Sequence, residues 1–182
     1  MMKQALLVID VQNDYFQGGK MELYSPLDAL KQINKLEDYF MEKKEPIIYM
    51  QHVMHQEGAP FFEVGTEGAQ LHNGLNFTES STVIEKVYPN SFKETNLAEL
   101  LEKLAVEQLV ITGMMTHMCV DSTARAASEL GFQPIVLSDT TATLALTHEN
   151  HTVPAQDVQN AFLAALSSFA SVITVEEYLL GE

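Results

Sequence analysis

The sequence predicts an α/β protein, a three-layer Rossmann-like open sheet of about six mostly parallel strands with helices on both faces. Two observations carry that expectation. Short apolar runs alternate with helix-like stretches six times along the 182 residues. The clearest runs are apolar at successive positions, the pattern of strands buried on both sides of a parallel sheet. No repeat, linker or low-complexity tract divides the chain, so 1–182 reads as a single domain.

The elements follow in order. Residues 5–9 form a continuously apolar run that ends in Asp10. Leu27, Leu30, Ile33, Asn34, Tyr39 and Phe40, set among charges, predict a helix ending near Lys43 and Lys44. Pro46 opens a second strand over 47–50. Residues 54–80 carry five glycines and prolines among polar groups and read as a long loop, a length that points to function or a lid. Thr82 to Lys86 is a third strand. Asn96 is expected to cap a helix carrying Leu97, Leu100, Leu101 and Leu104, with Glu99 at the capping-box offset. Residues 108–112 form a fourth strand, and a helix is expected from about Met118 to Leu130, stopped by Gly131 in the left-handed position after its end. A fifth strand at 134–138, a small-residue helix at 156–169, a short strand at 171–174 and a final turn at 176–180 complete the series.

Composition narrows the function. Ten Lys and Arg against 25 Asp and Glu give a net charge of −15, a field that repels phosphate backbones and anionic lipid. Neither nucleic acid nor membrane is an expected partner, and a small-molecule substrate is. No apolar run is long enough to span a bilayer. The single cysteine excludes an internal disulfide and a multi-Cys zinc site, which favours a reducing, cytoplasmic compartment.

In open α/β sheets, ligands bind at the carboxyl ends of the strands beside the topological switch point. Three ionisable residues stand there: Asp10, Lys86 and Cys119. Singly, each has a bland reading, as a loop-capping acid, a solvated lysine and a packed thiol. Together on one sheet edge they describe acyl transfer from an amide. A helix N-terminus and Lys86 would favour the Cys119 thiolate, Asp10 could move its proton to a leaving amine, and the Cys119 N–H faces the nascent oxyanion.

Four stretches resemble the isochorismatase-like cysteine hydrolases: Val8 to Asp14, Lys86 to Phe92 with Thr95 and Leu97, Gly113 to Val120 with Ser122 to Arg125, and Ser138 to Thr143. They come in order and span most of the chain. That family includes nicotinamidases, N-carbamoylsarcosine amidase, ureido-acid and biuret hydrolases, streptothricin hydrolase and isochorismatase. The resemblance implies Asp10 as general base and acid, Lys86 as electrostatic partner and Cys119 as nucleophile. It also implies a cis Met114–Met115 peptide, an oxyanion hole from the N–H groups of Met115 and Cys119, no cofactor, and a homo-oligomer, dimer or tetramer. Phe16, Phe92 and His52 are candidate substrate contacts, and Phe61 with Phe62 either close over the pocket or pack beneath it.

Departures from the family pattern refine the expectation. Cys119 argues against isochorismatase activity proper, which lacks the cysteine. Nicotinamidases carry an Asp-x-His metal site after the second strand, whereas no aspartate occurs here from 39 to 120. His52 and His55 could ligate with Glu57 or His72, but the favoured reading is polar pocket or loop residues, with no metal. His148 and His151 read as solvated. Receiver domains and aspartyl-phosphate phosphatases need acids where Lys86 and Gln12 stand, and 11–13 is no phosphate loop for a flavodoxin-like carrier. The rival from another class is a family member with an idle triad that serves binding or assembly.

Overall fold

The computed structural model describes residues 2–181. Its elements are β1 (Gln4–Ile9), α1 (Pro26–Lys43), β2 (Ile47–His52), β3 (Thr82–Lys86), α2 (Leu97–Lys103), β4 (Gln108–Met114), α3 (Asp121–Glu129), β5 (Gln133–Ala142), β6 (Leu146–His148), β7 (His151–Val153), α4 (Ala155–Leu166), β8 (Ser171–Ile173) and α5 (Val175–Gly181). Six strands form one parallel sheet in the order β3-β2-β1-β4-β5-β8. The chain runs outward from β1 to β3, then returns to lay β4 against the other side of β1. Strand order therefore reverses between β1 and β4, where open sheets leave a crevice.

Period-two alternation within the buried runs builds the three layers. Leu6 and Val8 of β1 face one core with Leu30, Ile33, Leu36 and Phe40 of α1 and Tyr178 of α5. Ala5, Leu7 and Ile9 face the other, with Leu97 and Leu101 of α2, Ala124 and Ala127 of α3, and Leu166 of α4. The described residues include no helix long and apolar enough to cross a membrane.

Several local expectations need correcting. Asn96 sits at the start of α2, but its backbone (φ −93°, ψ 15°) lies outside the extended geometry that aims a capping side chain. Thr95 Oγ1 instead accepts the Leu97 N–H at 3.3 Å. The helical stretch after β4 begins at Thr116, two residues earlier than its apolar pattern indicates, as a wide π turn over Thr116–Val120. There the Met115 carbonyl accepts both Met118 N–H (3.0 Å) and Val120 N–H (3.2 Å). Leu27, one of the apolar residues that predict α1, lies in that helix but is exposed. His148 and His151 are exposed as expected, but they pair in the β6–β7 hairpin. Strand β5 runs on to Ala142, four residues past the apolar stretch, because Thr141 and Ala142 still pair with β4.

Gly131 does follow α3 with φ +90°, and its N–H reaches Ser128 O while Phe132 N–H reaches Ala127 O, the paired bonds of a Schellman ending. The same two bonds close α2 at Ala105 and Val106, but here alanine holds φ +54°. A left-handed non-glycine residue costs about 1–2 kcal/mol. Ala105 is exposed and loses no packing on truncation. Ala105→Gly should therefore stabilise the protein by about 1 kcal/mol, seen as a rise of about 2–4 °C in Tm by calorimetry.

Candidate active site

The strand register assembles the site. Ile9 pairs with Met50 on one side and Gly113 on the other, and His52 pairs with Lys86. Asp10, His52 and Lys86 thus emerge at the carboxyl edge of three adjacent strands. Asp10 is fully buried with φ +50°, a left-handed conformation that Asp tolerates, and it turns the chain sharply after β1. Across the switch point, Gly113 has φ +114° and lies against Ile9, where any Cβ would run into the Ile9 backbone. That close approach brings Met114, the cis Met114–Met115 peptide and the π turn bearing Cys119 beside Asp10.

Four buried groups converge. Lys86 Nζ lies 2.8 Å from Asp10 Oδ2 and donates to the carbonyls of Tyr88 (3.0 Å) and Pro89 (3.2 Å). His52 Nδ1 is 3.8 Å from Asp10 Oδ2, 3.5 Å from Lys86 Nζ and 3.8 Å from Cys119 Sγ. The Asp10, His52 and Cys119 donor atoms all lie within 4.8 Å of one another. The Asp10–Lys86 contact is electrostatic: neither carboxylate oxygen has a well-angled hydrogen bond among the described residues, which leaves lone pairs available for a proton.

Charge is distributed accordingly. Burial pushes the Asp10 carboxyl up, but Lys86 and His52 outweigh it and hold the group below its ordinary value. Burial pushes the Lys86 ammonium down, and Asp10 more than restores it. Cys119 is held well above the ordinary thiol range, by burial first and by the Asp10 carboxylate next, with Lys86 opposing only in part. The resting cluster is a carboxylate–ammonium pair beside a neutral thiol. Lys86 therefore favours the thiolate only in part, as it sits on the aspartate.

Further polar contacts hold the cluster, and no periodicity in the chain names these partners. Gln12, fully buried, accepts the His52 N–H and donates to His52 O and Ala69 O, each at 2.8 Å. Asp14 accepts the Phe62 N–H at 2.6 Å, and the Phe62 ring lies 5.9 Å from His52 and 4.6 Å from Tyr15. Burial, then the Cys119 and Asp10 charges, raise the Tyr15 phenol well above its ordinary value, which places Tyr15 beside the cluster. Glu37 in α1 accepts from Tyr49 Oη (2.7 Å) and Asn76 N (3.1 Å), anchoring the far end of the long loop. Phe62 is fully buried and Phe61 meets it edge to face, so this pair packs beneath the loop and forms no lid.

The remaining candidates scatter. Phe16 is buried, its ring 3.9 Å from His72, and borders a cavity of about 480 Å³ with Asn13, Gln17, Glu67 and His72. Phe92 stacks on Phe132 at the amino end of β5, opposite the edge that carries the cluster, so it is no wall of this site. Met115 is buried immediately before the π turn. The nicotinamidase-type metal set does not form: His55 is on the surface with Glu85 at 3.2 Å, Glu57 is exposed, and His72 turns to Phe16. Asp10, His52 and Cys119 have donor chemistry for a metal, but the Lys86 ammonium already supplies the cation at that spot.

An open parallel sheet whose switch point holds a buried carboxylate, ammonium and thiol defines a cysteine hydrolase of the α/β type. The isochorismatase domain matches residues 4–177. The isochorismatase family protein YddQ of Bacillus subtilis is 44% identical, over 98% of this chain and 99% of its own. A streptothricin hydrolase of Streptomyces noursei is 29% identical, over 98% of this chain and 60% of its own. The crystal structure of an isochorismatase-type hydrolase from Oleispira antarctica superposes with a TM-score of 0.94 at 40% identity, covering 98% and 96% of the two chains. The chain belongs to the isochorismatase family.

The ion pair sets a test. Lys86→Met leaves the Asp10 charge buried without a partner, which should cost about 3–5 kcal/mol at neutral pH. In the wild type, the depressed Asp10 value adds stability that is complete above the ordinary carboxylate range and lost as pH falls through the folded value. In the variant, burial alone raises the carboxyl, so stability should increase as pH falls. Thermal melts from about pH 2 to 8 should show this contribution level in the wild type above about pH 4 and falling below it, while the variant gains stability as pH falls.

Proposed function

We propose that this protein hydrolyses a linear amide or ureido C–N bond in a small molecule through a thioester. The observation that carries this is the buried Asp10–Lys86 pair set beside the neutral thiol of Cys119. A poised carboxylate with free lone pairs next to a protonated thiol suits attack in which the proton leaves only as the bond forms. Sγ bonds to the carbonyl carbon while its proton moves toward Asp10, and the carbonyl π pair becomes an oxyanion. The N–H groups of Met115 and Cys119 are the proposed donors to that oxygen. Collapse breaks the C–N bond, the proton goes to the departing nitrogen, and a thioester remains. Water, deprotonated by Asp10, adds to the thioester carbonyl; collapse breaks the S–C bond, Asp10 returns the proton to Sγ, and the acid is released. Lys86 keeps Asp10 ionised between steps. Phe16 and the His72 ring stacked on it are proposed to border the substrate. The hydrolytic name of the streptothricin relative supports the reaction class.

Cys119→Ala and Asp10→Asn should each lower ammonia release from responsive amides or ureido acids by at least about 10⁴-fold while the fold is retained. A variant that keeps turnover overturns the mechanism. A wild type silent across the whole panel favours the binding or assembly reading.

We further propose a cytoplasmic homo-oligomer formed through α4. Only Val158 and Leu166 of its twelve residues are buried, and no charged residue occurs from 158 to 175 in a chain carrying 35 Asp, Glu, Lys and Arg. Two copies with charge −15 repel least along such a face. Light scattering should give a multiple of 20.3 kDa, and Ala164→Glu should return the mass to that of the monomer.

A further inference from the structure

We propose that His52 is a fourth catalytic residue, whose Nδ1 receives the Cys119 proton during attack and passes it to Asp10. The proposal rests on the amide-hydrolase reading and specifies the proton's route within it.

The protonation pattern follows from the neighbours. An ammonium has donors only, and Lys86 Nζ approaches Nδ1 at 3.5 Å. Nδ1 is therefore assigned as the bare nitrogen of the ring, with the ring proton on Nε2. A bare Nδ1 at 3.8 Å from Sγ is an acceptor within reach of the thiol hydrogen. The same nitrogen lies 3.8 Å from Asp10 Oδ2, so one atom touches both the donor and the final acceptor of the proton. Asp10 Oδ2 is already faced by Lys86 at 2.8 Å, which weakens its pull on a proton from sulfur. An imidazole beside both gives the proton an intermediate acceptor between sulfur and carboxylate.

The ring is held for this task. Gln12 grips the His52 backbone from both sides at 2.8 Å, and Phe62 flanks the ring. Facing His52 are Asp10 from β1, Lys86 from β3, Cys119 from the π turn and the neutral Tyr15 phenol from the turn after β1. The side chains gain one positive charge as the proton leaves sulfur, and the negative charge on the substrate oxyanion balances it. In the step, the S–H bond breaks as the S–C bond forms, and the proton binds the Nδ1 lone pair. The imidazolium then gives that proton to Oδ2, which restores the neutral ring, and Asp10 releases it to the leaving nitrogen. No oxidant or reductant takes part.

The test uses the intact protein and reads Cys119 alkylation by iodoacetamide as a mass increase, in wild type, His52→Gln and His52→Asn, from pH 6 to 10. Two substitutions are used so that one misfolded variant does not end the test, and circular dichroism with Tm checks both. A relay predicts that each folded variant alkylates about 10-fold or more slowly at pH 7 yet converges on wild type near pH 10, where hydroxide removes the proton unaided. Amide turnover should fall about 10²–10⁴-fold in kcat with KM nearly constant. A uniform slowing at every pH would mean a structural role, and unchanged alkylation would mean no role; either overturns the proposal. Alkylation needs no amide, so the two readings fail separately. Normal ammonia release by His52→Gln sinks the relay alone, whereas the expected alkylation pattern with no ammonia from wild type sinks the amide reading alone.

Discussion

The rest of the site depends on one buried ion pair that must reach across a strand. Asp10 ends β1 and Lys86 ends β3, with β2 between them, so their backbones are separated by two inter-strand spacings, roughly 9–10 Å. Only a long, unbranched side chain can bridge that gap, and lysine does so while fully buried. A buried ammonium needs more than one acceptor, since desolvation can exceed the gain from a single counter-charge. The turn after β3 meets that need by pointing the Tyr88 and Pro89 carbonyls back at Nζ. The lysine thus fixes the turn that follows it and keeps Asp10 ionised.

Because the pair neutralises itself, it cannot also hold a thiolate. The thiol is neutral because it is buried and faces the Asp10 carboxylate, and the cation that could offset both lies against oxygen. In the proposed hydrolysis, reactivity depends on what arrives, since a substrate carbonyl beside Cys119 makes loss of the proton worthwhile. The arrangement keeps the thiol protonated and leaves a carboxylate beside it.

Much of this was legible in the chain. Apolar runs gave the strands, their alternation with helices gave the doubly wound order, and the edge rule gathered Asp10, Lys86 and Cys119. What local patterns could not show was the set of contacts between distant residues. Gln12 meets His52 and Ala69 across 40 and 57 positions, and Asp14 meets Phe62 across 48. A glutamine or aspartate in a turn carries no periodicity that names such partners. Phe92 was misread for a similar reason: an aromatic near a functional lysine can turn to either face, and Phe132 supplied the better apolar surface. Asn96 has the right residue type for a cap but the wrong backbone angles. The state of the thiol was least accessible, because it depends on whether the lysine lies nearer to Asp10 or to Cys119.

The solitary thiol also shapes how this protein meets oxidative stress. Peroxide reacts with thiolates, so a neutral, 3% exposed Cys119 is a slow target. Should a sulfenic acid form there, no second cysteine in the chain can condense with it to a reversible disulfide. Rescue would have to come from a small external thiol able to reach the buried sulfur, and without one the sulfur moves on to the sulfinic acid and is lost to chemistry. Burial and the neutral resting state therefore act as the protection that a resolving cysteine provides elsewhere.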